Sequence, residues 1–513
     1  MGYDSLEDAF DVYKKFTEYK LPFDVFWFDI DHTDRKHYFT WSKDFKPDLL
    51  NNLISDLDKS NKKLVTIIDP HLSTDKDYFV SNELLKEKCL ILKSDKTEFK
   101  GSCWPGESYY GDYLNPKTQE IYSNILYKNE DYFKNSKNIF TWCDMNEPSV
   151  FDGPEKTFPK DNLAFDGNNY YSAEQFHNIY GQSYHKTCFT ALLNRYENKR
   201  AFTLTRSTYT GSQQWGFHWT GDNTSNWGNC KYSLEMLMTL SYCGINNAGA
   251  DLGGFLGNPS EDLLTFWYQV ASFTNFYRGH SDIESKRREP WKYGEKIMDK
   301  VRSSINLRYN LLLFFYGCNF ISSQIGKPLI NPYRNTQHLY LIGDTFVLPI
   351  MDKKDSPVPY DFLNTNELYN FSNKKVLVNN ELLNMTDMKL GLNVLIRGGS
   401  IIPFIPNSKL NSYNNIYDED AKFEIQVYLN DKESAKGYFY IDDGSSFDYK
   451  KGDYVLGEFI YESGVFQYNL ISKPKEEGSL IFMKKSFSKL EIFNGNTSIS
   501  HSLDKKITES FKL

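Results

Sequence analysis

Residues 138–151 read NIFTWCDMNEPSVF, an apolar run from Ile139 to Cys143 that breaks off into Asp144, Asn146, Glu147 and Pro148. A short, nearly continuous apolar run reads as a strand covered on both faces, and a polar tail makes its end a place for chemistry. The design recurs at FDVFWFDI (23–30), KLVTIID (63–69), RAFTLTRS (200–207), FHWTGDN (217–223), INNAGAD (245–251) and FTNFYRGH (273–280). Helical patterns stand between several of them: LEDAFDVYKKFTEY (6–19), residues 47–59 and SYHKTCFTALLNRYEN (183–198). Alternating strands and helices predict an α/β fold with a parallel sheet covered on both sides. Polar residues gathered at the carboxyl ends of its strands predict a TIM-type (β/α)8 barrel, whose active site lies on that face. A doubly wound open sheet is the rival, but no Gly-rich phosphate loop follows any strand. The runs supply seven strands where closure needs eight, so the barrel is expected to lack its first strand.

After a long helical pattern at 303–317 the texture changes to short stretches separated by turn residues: 339–352, 393–404, 423–429, 437–449, 479–485 and 489–495. This spacing predicts antiparallel β-sandwich material. The expected organisation is a catalytic barrel over 1–326, incomplete at its N-terminus, a proximal C-terminal β-sandwich over 327–405 and a distal one over 406–513.

The 513 residues exceed what one core can organise. A net charge of -8 without a long basic patch argues against nucleic acid. The seven cysteines show no C-x-x-C pairing, so neither zinc nor a disulfide framework is indicated. No apolar run approaches a membrane span, and residues 1–16 lack the apolar region of an export signal. Sequons stand at Asn370, Asn384 and Asn496.

The richest tails are TWCDMNEPS (141–149) and FHWTGDNTSNW (217–227), each placing an Asp at a strand end beside Trp. Two carboxyl groups across a cleft, one ionised and one protonated, are what glycosidic cleavage requires. A lone Asp at a strand end is commonly a helix N-cap, but six acids and two histidines on one face exceed what capping explains. DIDHTD (29–34) and DPH (69–71) offer oxygen and nitrogen ligands, yet no metal-binding spacing is present. No G-x-S-x-G elbow supports a serine nucleophile. Cys143 adjoins Asp144 and should point to the opposite side of the strand, as neighbours in a strand do.

These residues resemble the retaining α-glucosidases of glycoside hydrolase family 31. WCDMNEPSVFDGPE is similar to that family's nucleophile signature and HWTGDN to its acid/base signature. The similarity continues through LPFDVFWFDIDHTD, IIDPHL, CWPG, GADLGGF, RREPW and IRGGSIIPF. VFDGPEKTFPKD and HNIYG resemble most the glucosidase II catalytic branch, which trims glucose from N-linked glycans in the endoplasmic reticulum. The resemblance implies Asp144 as nucleophile and Asp222 as acid/base, with Asp29, Arg206 and His280 binding the sugar. It further implies Trp104, Trp142, Met145, Trp219, Asp251 and Phe255 as pocket lining, no metal and no cofactor. Asp222 is then expected to be kept protonated by the like charge of Asp144 and by apolar surroundings, with a carboxyl separation of roughly 5–5.5 Å and retention of configuration. Glu147 reads as a support for the loop or for neighbouring polar groups. A glycan substrate, an endoplasmic reticulum location and a regulatory beta subunit are implied by the same branch.

Departures from the pattern are specific. Family members carry a β-sandwich before the barrel and a first strand that this chain lacks, which suggests a fragment of a longer protein. Asp282 and Glu284 stand where the glucosidase II pattern has His and Asp, and Leu237 and Ala248 where it has two cysteines. Maltose-type oligosaccharides or α-xylosides are alternative substrates, and an inactive carbohydrate-binding fragment is the non-enzymatic alternative.

Overall fold

The computed structural model describes residues 2–3, 5–334, 338–351, 357–358, 368–377, 383–384, 392–406, 416–418, 420–474, 482 and 484–513. These form two compact units, one of residues 1–18 with 23–221 and one of residues 19–22 with 222–513.

In the first unit, helix α1 (Leu6–Glu18) buries Leu6, Ala9 and Val12, a spacing that keeps them on one side. Helix α2 (Pro47–Lys59) starts on a proline, whose missing N–H costs nothing there, and buries Leu50, Leu53, Ile54 and Leu57. Each such side chain contributes about 1.5–3 kcal/mol of burial. Strands β1 (Val25–Phe28), β2 (Lys63–Ile67), β3 (Ile139–Cys143), β4 (Thr203–Thr205) and β5 (Phe217–Trp219) pair in that order, all parallel. Helix α3 (Ala173–Arg195) crosses from β3 to β4 and opens with a capping box between Ser172 and Gln175.

Register decides which side chains share a face. Ile67 pairs with Trp142, Trp142 with Leu204, and Phe217 with Leu204. Trp27 is level with Val65 and Phe140, two residues before Trp142, and Trp219 lies two residues after Phe217, which is level with Trp142. Residues two apart in a strand share a face, so the three tryptophans form a diagonal row whose rings meet edge to face at 6.0 and 5.6 Å. Odd-numbered neighbours in β3 turn to the helices, where Tyr127 Oη lies 2.9 Å from Thr141 Oγ1. Cys143 lies on that side, fully buried, its thiol pushed well up by burial and by Cys188.

In the second unit, the elements following residue 222 are α4 (Trp227–Tyr242), β6 (Ala248–Gly249), α5 (Glu261–Ala271), α6 (Glu295–Asn310) and α7 (Leu312–Ile325). The 273–280 run expected as a strand forms only a single bridge, Asp251 with Arg278. Thr274 accounts for this by folding its hydroxyl onto the carbonyls of Ala271 and Phe276, which curls the chain before it can extend. Helix α7 ends on Gly326 in the left-handed region (φ 67°), donating to the Ser322 carbonyl.

Beyond it, β7 (Ile330–Pro332), β8 (Leu339–Ile342), β9 (Phe346–Pro349), β10 (Leu368–Asn370) and β11 (Leu395–Arg397) make a sheet in the order β7-β8-β9-β11-β10, antiparallel throughout. A second sheet contains β12 (Ser400–Phe404), β13 (Lys422–Tyr428), β14 (Ala435–Ile441), β15 (Val455–Glu462), β16 (Val465–Ser472), β17 (Ser486–Asn494), β18 (Thr497–Lys506) and β19 (Phe511–Lys512). Its order is β18-β17-β13-β12-β14-β15-β16-β19. Two of its pairings, β12 with β14 and β13 with β17, are parallel where sequence spacing predicted antiparallel neighbours. The partners there are distant in the chain, so no hairpin turn dictates their direction. Phe423, Phe439, Phe459 and Phe487 pack with Leu313 of α7 in the core of this sheet. The strand expected at 479–485 lies mostly outside the described residues.

Candidate active site

Three strand ends of the first unit stand level. Asp69 lies two residues beyond the Ile67–Trp142 pair, Asp144 two residues beyond Trp142 itself, and Arg206 two beyond Leu204, which also pairs with Trp142. The Arg206 N–H donates to the Cys143 carbonyl (3.1 Å), holding the β4 tail against β3. Adjacent strands run about 4.8 Å apart, so Asp144 has a carboxyl on one flank and a guanidinium on the other.

Arg206 Nη1 is 3.0 Å from Asp144 Oδ1. The rest of its fork grips Glu147, with Nε to Oε1 at 2.8 Å and Nη2 to Oε2 at 3.0 Å. Glu147 is therefore the support the sequence reading expected, acting by aiming a cation at Asp144. Asp144 Oδ1 also accepts the Met145 N–H at 2.7 Å, and Met145 takes φ 55°, an uncommon conformation for a residue with a side chain. Asn146, fully buried, ties the loop down: its Nδ2 donates to Thr205 Oγ1 (2.9 Å) and the Gly181 carbonyl (3.2 Å), and its Oδ1 accepts the Ser207 N–H (3.1 Å).

Asp29 is 8% exposed, and its Oδ1 accepts the Ile30 N–H at 2.6 Å, so it caps the turn Ile30–His32. Trp142 and Trp219, expected as walls, are almost wholly buried, and Met145 is buried too. They form a floor. Trp104 stands at the turn of the hairpin Lys100–Cys103/Gly106–Tyr110, 38% exposed, edge-on to Phe151 at 4.9 Å with Lys36 Nζ 5.5 Å from its ring.

Sequence reasoning singled out Asp69 and His71 but not Tyr38, which joins them. Asp69 and His71 are fully buried, and Tyr38 Oη lies 2.6 Å from Asp69 Oδ2 and 2.8 Å from His71 Nε2. Burial foremost, then the charge of Asp144, raises the Asp69 carboxyl well above its ordinary pKa. Burial lowers His71 to about 3, so its imidazole is neutral.

In the second unit, Asp251 is fully buried and its Oδ1 takes Arg278 Nε (3.0 Å) and Nη2 (2.8 Å). Asn223 joins the Asp222 tail to the 251–255 loop, donating to the Asp251 carbonyl (3.1 Å) and accepting the Phe255 N–H (2.9 Å). Phe255 stacks on His280 with centroids 5.2 Å apart. Burial, then Arg278, hold the His280 imidazole well below its ordinary pKa. Asp222 is exposed, where sequence reading expected apolar surroundings. Among the described residues no group of three or more His, Cys, Asp or Glu side chains is placed to hold a metal ion, and no helix is long and apolar enough to cross a membrane.

Residues 1–318 match the family model described as the glycosyl hydrolases family 31 TIM-barrel domain. The chain is 35% identical over 487 residues to a probable glucan 1,3-alpha-glucosidase of Arabidopsis thaliana, covering 92% of this chain and 52% of that protein. It is 36% identical over 464 residues to neutral alpha-glucosidase C of Homo sapiens, covering 87% and 50%. The chain thus spans about half the length of these relatives. The catalytic subunit in a crystal structure of the ER glucosidase II heterodimeric complex superposes with a TM-score of 0.91 at 31% identity, over 100% of this chain and 60% of that one. With its strands carrying polar carboxyl ends and a family model matched over more than half its length, the chain belongs to glycosyl hydrolase family 31.

Proposed function

We propose that the protein is a retaining, exo-acting α-glucosidase that removes terminal α-linked glucose from N-linked glycans. The observation that carries this reading is Asp144, anchored by its neighbour's N–H and set 3.0 Å from the Arg206 guanidinium above a floor of tryptophans. A carboxylate so placed beside a cation suits a nucleophile at an anomeric carbon. In the proposed cycle Asp144 attacks that carbon while Asp222 protonates the departing oxygen. Water, deprotonated by Asp222, then cleaves the glycosyl ester, restoring both groups. Asp29, Arg206 and His280 bind the sugar hydroxyls, and Trp104, Trp142, Met145, Trp219, Asp251 and Phe255 shape the pocket.

An α-1,3 linkage is proposed because one relative is named a probable glucan 1,3-alpha-glucosidase and a similar glucosidase II alpha subunit, 32% identical, was solved with alpha3-Glc2 bound. A location in the endoplasmic reticulum lumen and a regulatory partner subunit belong to the same proposal, supported by the likeness to the ER heterodimer. So does the division into a barrel over 1–326 and sandwiches over 327–405 and 406–513. The test is hydrolysis of an α-1,3-linked glucose disaccharide followed by proton NMR. The first product should be α-glucose; β-glucose would overturn the double displacement, and absence of turnover would overturn the enzyme reading.

A further inference from the structure

Two aspartates are fully buried near strand ends, and they are treated differently. Asp251 has a guanidinium on its carboxylate at 2.8 Å. Asp69 has a phenol and a neutral imidazole, and its Oδ1 has no hydrogen-bond partner among the described residues. An ionised carboxylate removed from water is costly unless a cation or several donors face it. Asp69 has one donor at most, because the single hydroxyl proton of Tyr38 is shared between Asp69 Oδ2 and His71 Nε2. Further chain packed around this site cannot return Asp69 to water.

The charged and titratable groups acting on Asp69 are Asp144, Asp29 and Arg206 from neighbouring strand ends and Tyr38 from the preceding loop, with Cys103 on the hairpin and His71 on the short strand His71–Ser73 paired against it. Two adjacent carboxyl groups share a single negative charge more readily than they carry two. Which one keeps the proton is set by what stands on either side. Arg206 touches Asp144, whereas Asp69 lies on the far side of Asp144 from it.

We infer that Asp69 is an un-ionised carboxylic acid in the working protein, a positioning residue whose proton, held against Tyr38, leaves the negative charge of the strand ends on Asp144. This rests on the reading of Asp144 as nucleophile for its catalytic meaning, but not for its test. The Tyr38 hydroxyl can point either way along the chain between Asp69 and His71, so the cluster accepts the acid without rearranging.

Infrared difference spectroscopy of the wild type against Asp69→Asn at neutral pH reads the state directly. The expected difference contains the carbonyl band of a protonated carboxyl and none of the paired bands of a carboxylate; a carboxylate pair would overturn the inference. Should Asp69→Asn not fold, the Tyr38→Phe difference serves, in which the same carbonyl band moves to higher frequency as its hydrogen bond is lost; an unmoved band also overturns it. In kinetics, the acidic limb of kcat/KM stays in place in Asp69→Asn. A fall of that limb by about one pH unit would mean that Asp69 had been an anion raising the proton affinity of its neighbour. Failure to hydrolyse α-glucosides at all would sink the proposed activity while leaving the infrared result to stand or fall separately.

Discussion

Replacing Arg206 by Met removes the cation from Asp144 with little change in side-chain length. The lost contact is Nη1 to Oδ1 at 3.0 Å between side chains 19% and 14% exposed. At an effective dielectric constant of about 20, two unit charges at that distance attract by about 5 kcal/mol. Water entering the vacated space restores part of this, and charge-assisted hydrogen bonds contribute a net of about 1.5–3 kcal/mol. At about 1.4 kcal/mol per unit, the acidic limb of the pH profile should move by about one to two units. The sign is fixed: without the cation the carboxylate is less favoured, so the limb moves to higher pH. The assay is kcat/KM for a chromogenic α-glucoside across pH, with circular dichroism confirming the fold. Arg206→Lys is the control, because it keeps the charge while giving up the planar grip on Glu147. An unmoved limb in Arg206→Met, or an equal shift in Arg206→Lys, would refute the electrostatic account whatever happened to the absolute rate.

Asp222→Asn should lower hydrolysis of glycosides with poor leaving groups by about 10²–10⁴-fold, and much less for α-glucosyl fluoride, whose leaving group needs no proton; equal losses on both would remove Asp222 from the acid role. Gly181→Ala would set a Cβ 2.3 Å from the Asn146 carbonyl oxygen and 2.5 Å from Ser207 Oγ, so a loss of about 1–3 kcal/mol in stability is expected, read by thermal unfolding, together with a lower kcat as the loop after Asp144 shifts. His185, fully buried against Thr203 Oγ1 at 2.6 Å, has its pKa lowered to about 3 by burial. Its unfolded form binds a proton below about pH 6.5, so folding loses about 2 kcal/mol by pH 5 on its account. Asp112, pushed up to about 7 by burial, works in the opposite sense, its stabilisation lost as pH rises. The clean measurement is therefore the difference between wild type and His185→Gln, whose unfolding midpoint should fall less between pH 7 and 5; parallel slopes would exclude His185.

Apolar runs ending in polar residues were enough to locate β1 to β5, because buried parallel strands write their burial into consecutive residues. Alternation then placed Trp142 and Asp144 on one face and Cys143 on the other. Tyr38 escaped notice because its partner Asp69 is thirty-one positions away and no local period links them. The exposure of Asp222 was equally illegible, since the glycine and amides around it suit a tight turn as well as a closed pocket. In the C-terminal sheet the strands were readable one by one, but β12 comes to lie between β13 and β14, a choice made by packing among Phe423, Phe439 and their neighbours. The curl at Thr274 came from side-chain hydrogen bonds that compete with a strand ladder.

The row of Trp27, Trp142 and Trp219 has an optical meaning. Three indoles in edge contact, with centroids 6.0 and 5.6 Å apart, are close enough for their electronic transitions to couple, and of the nine tryptophans in the chain only the other six compete with that signal. Each indole sits on or beside a different strand of the same sheet, so the coupled spectrum is a built-in gauge of whether those strands lie in register. Strand slippage beneath Asp144 would be visible as a change of colour in the ultraviolet before it was visible as a loss of rate.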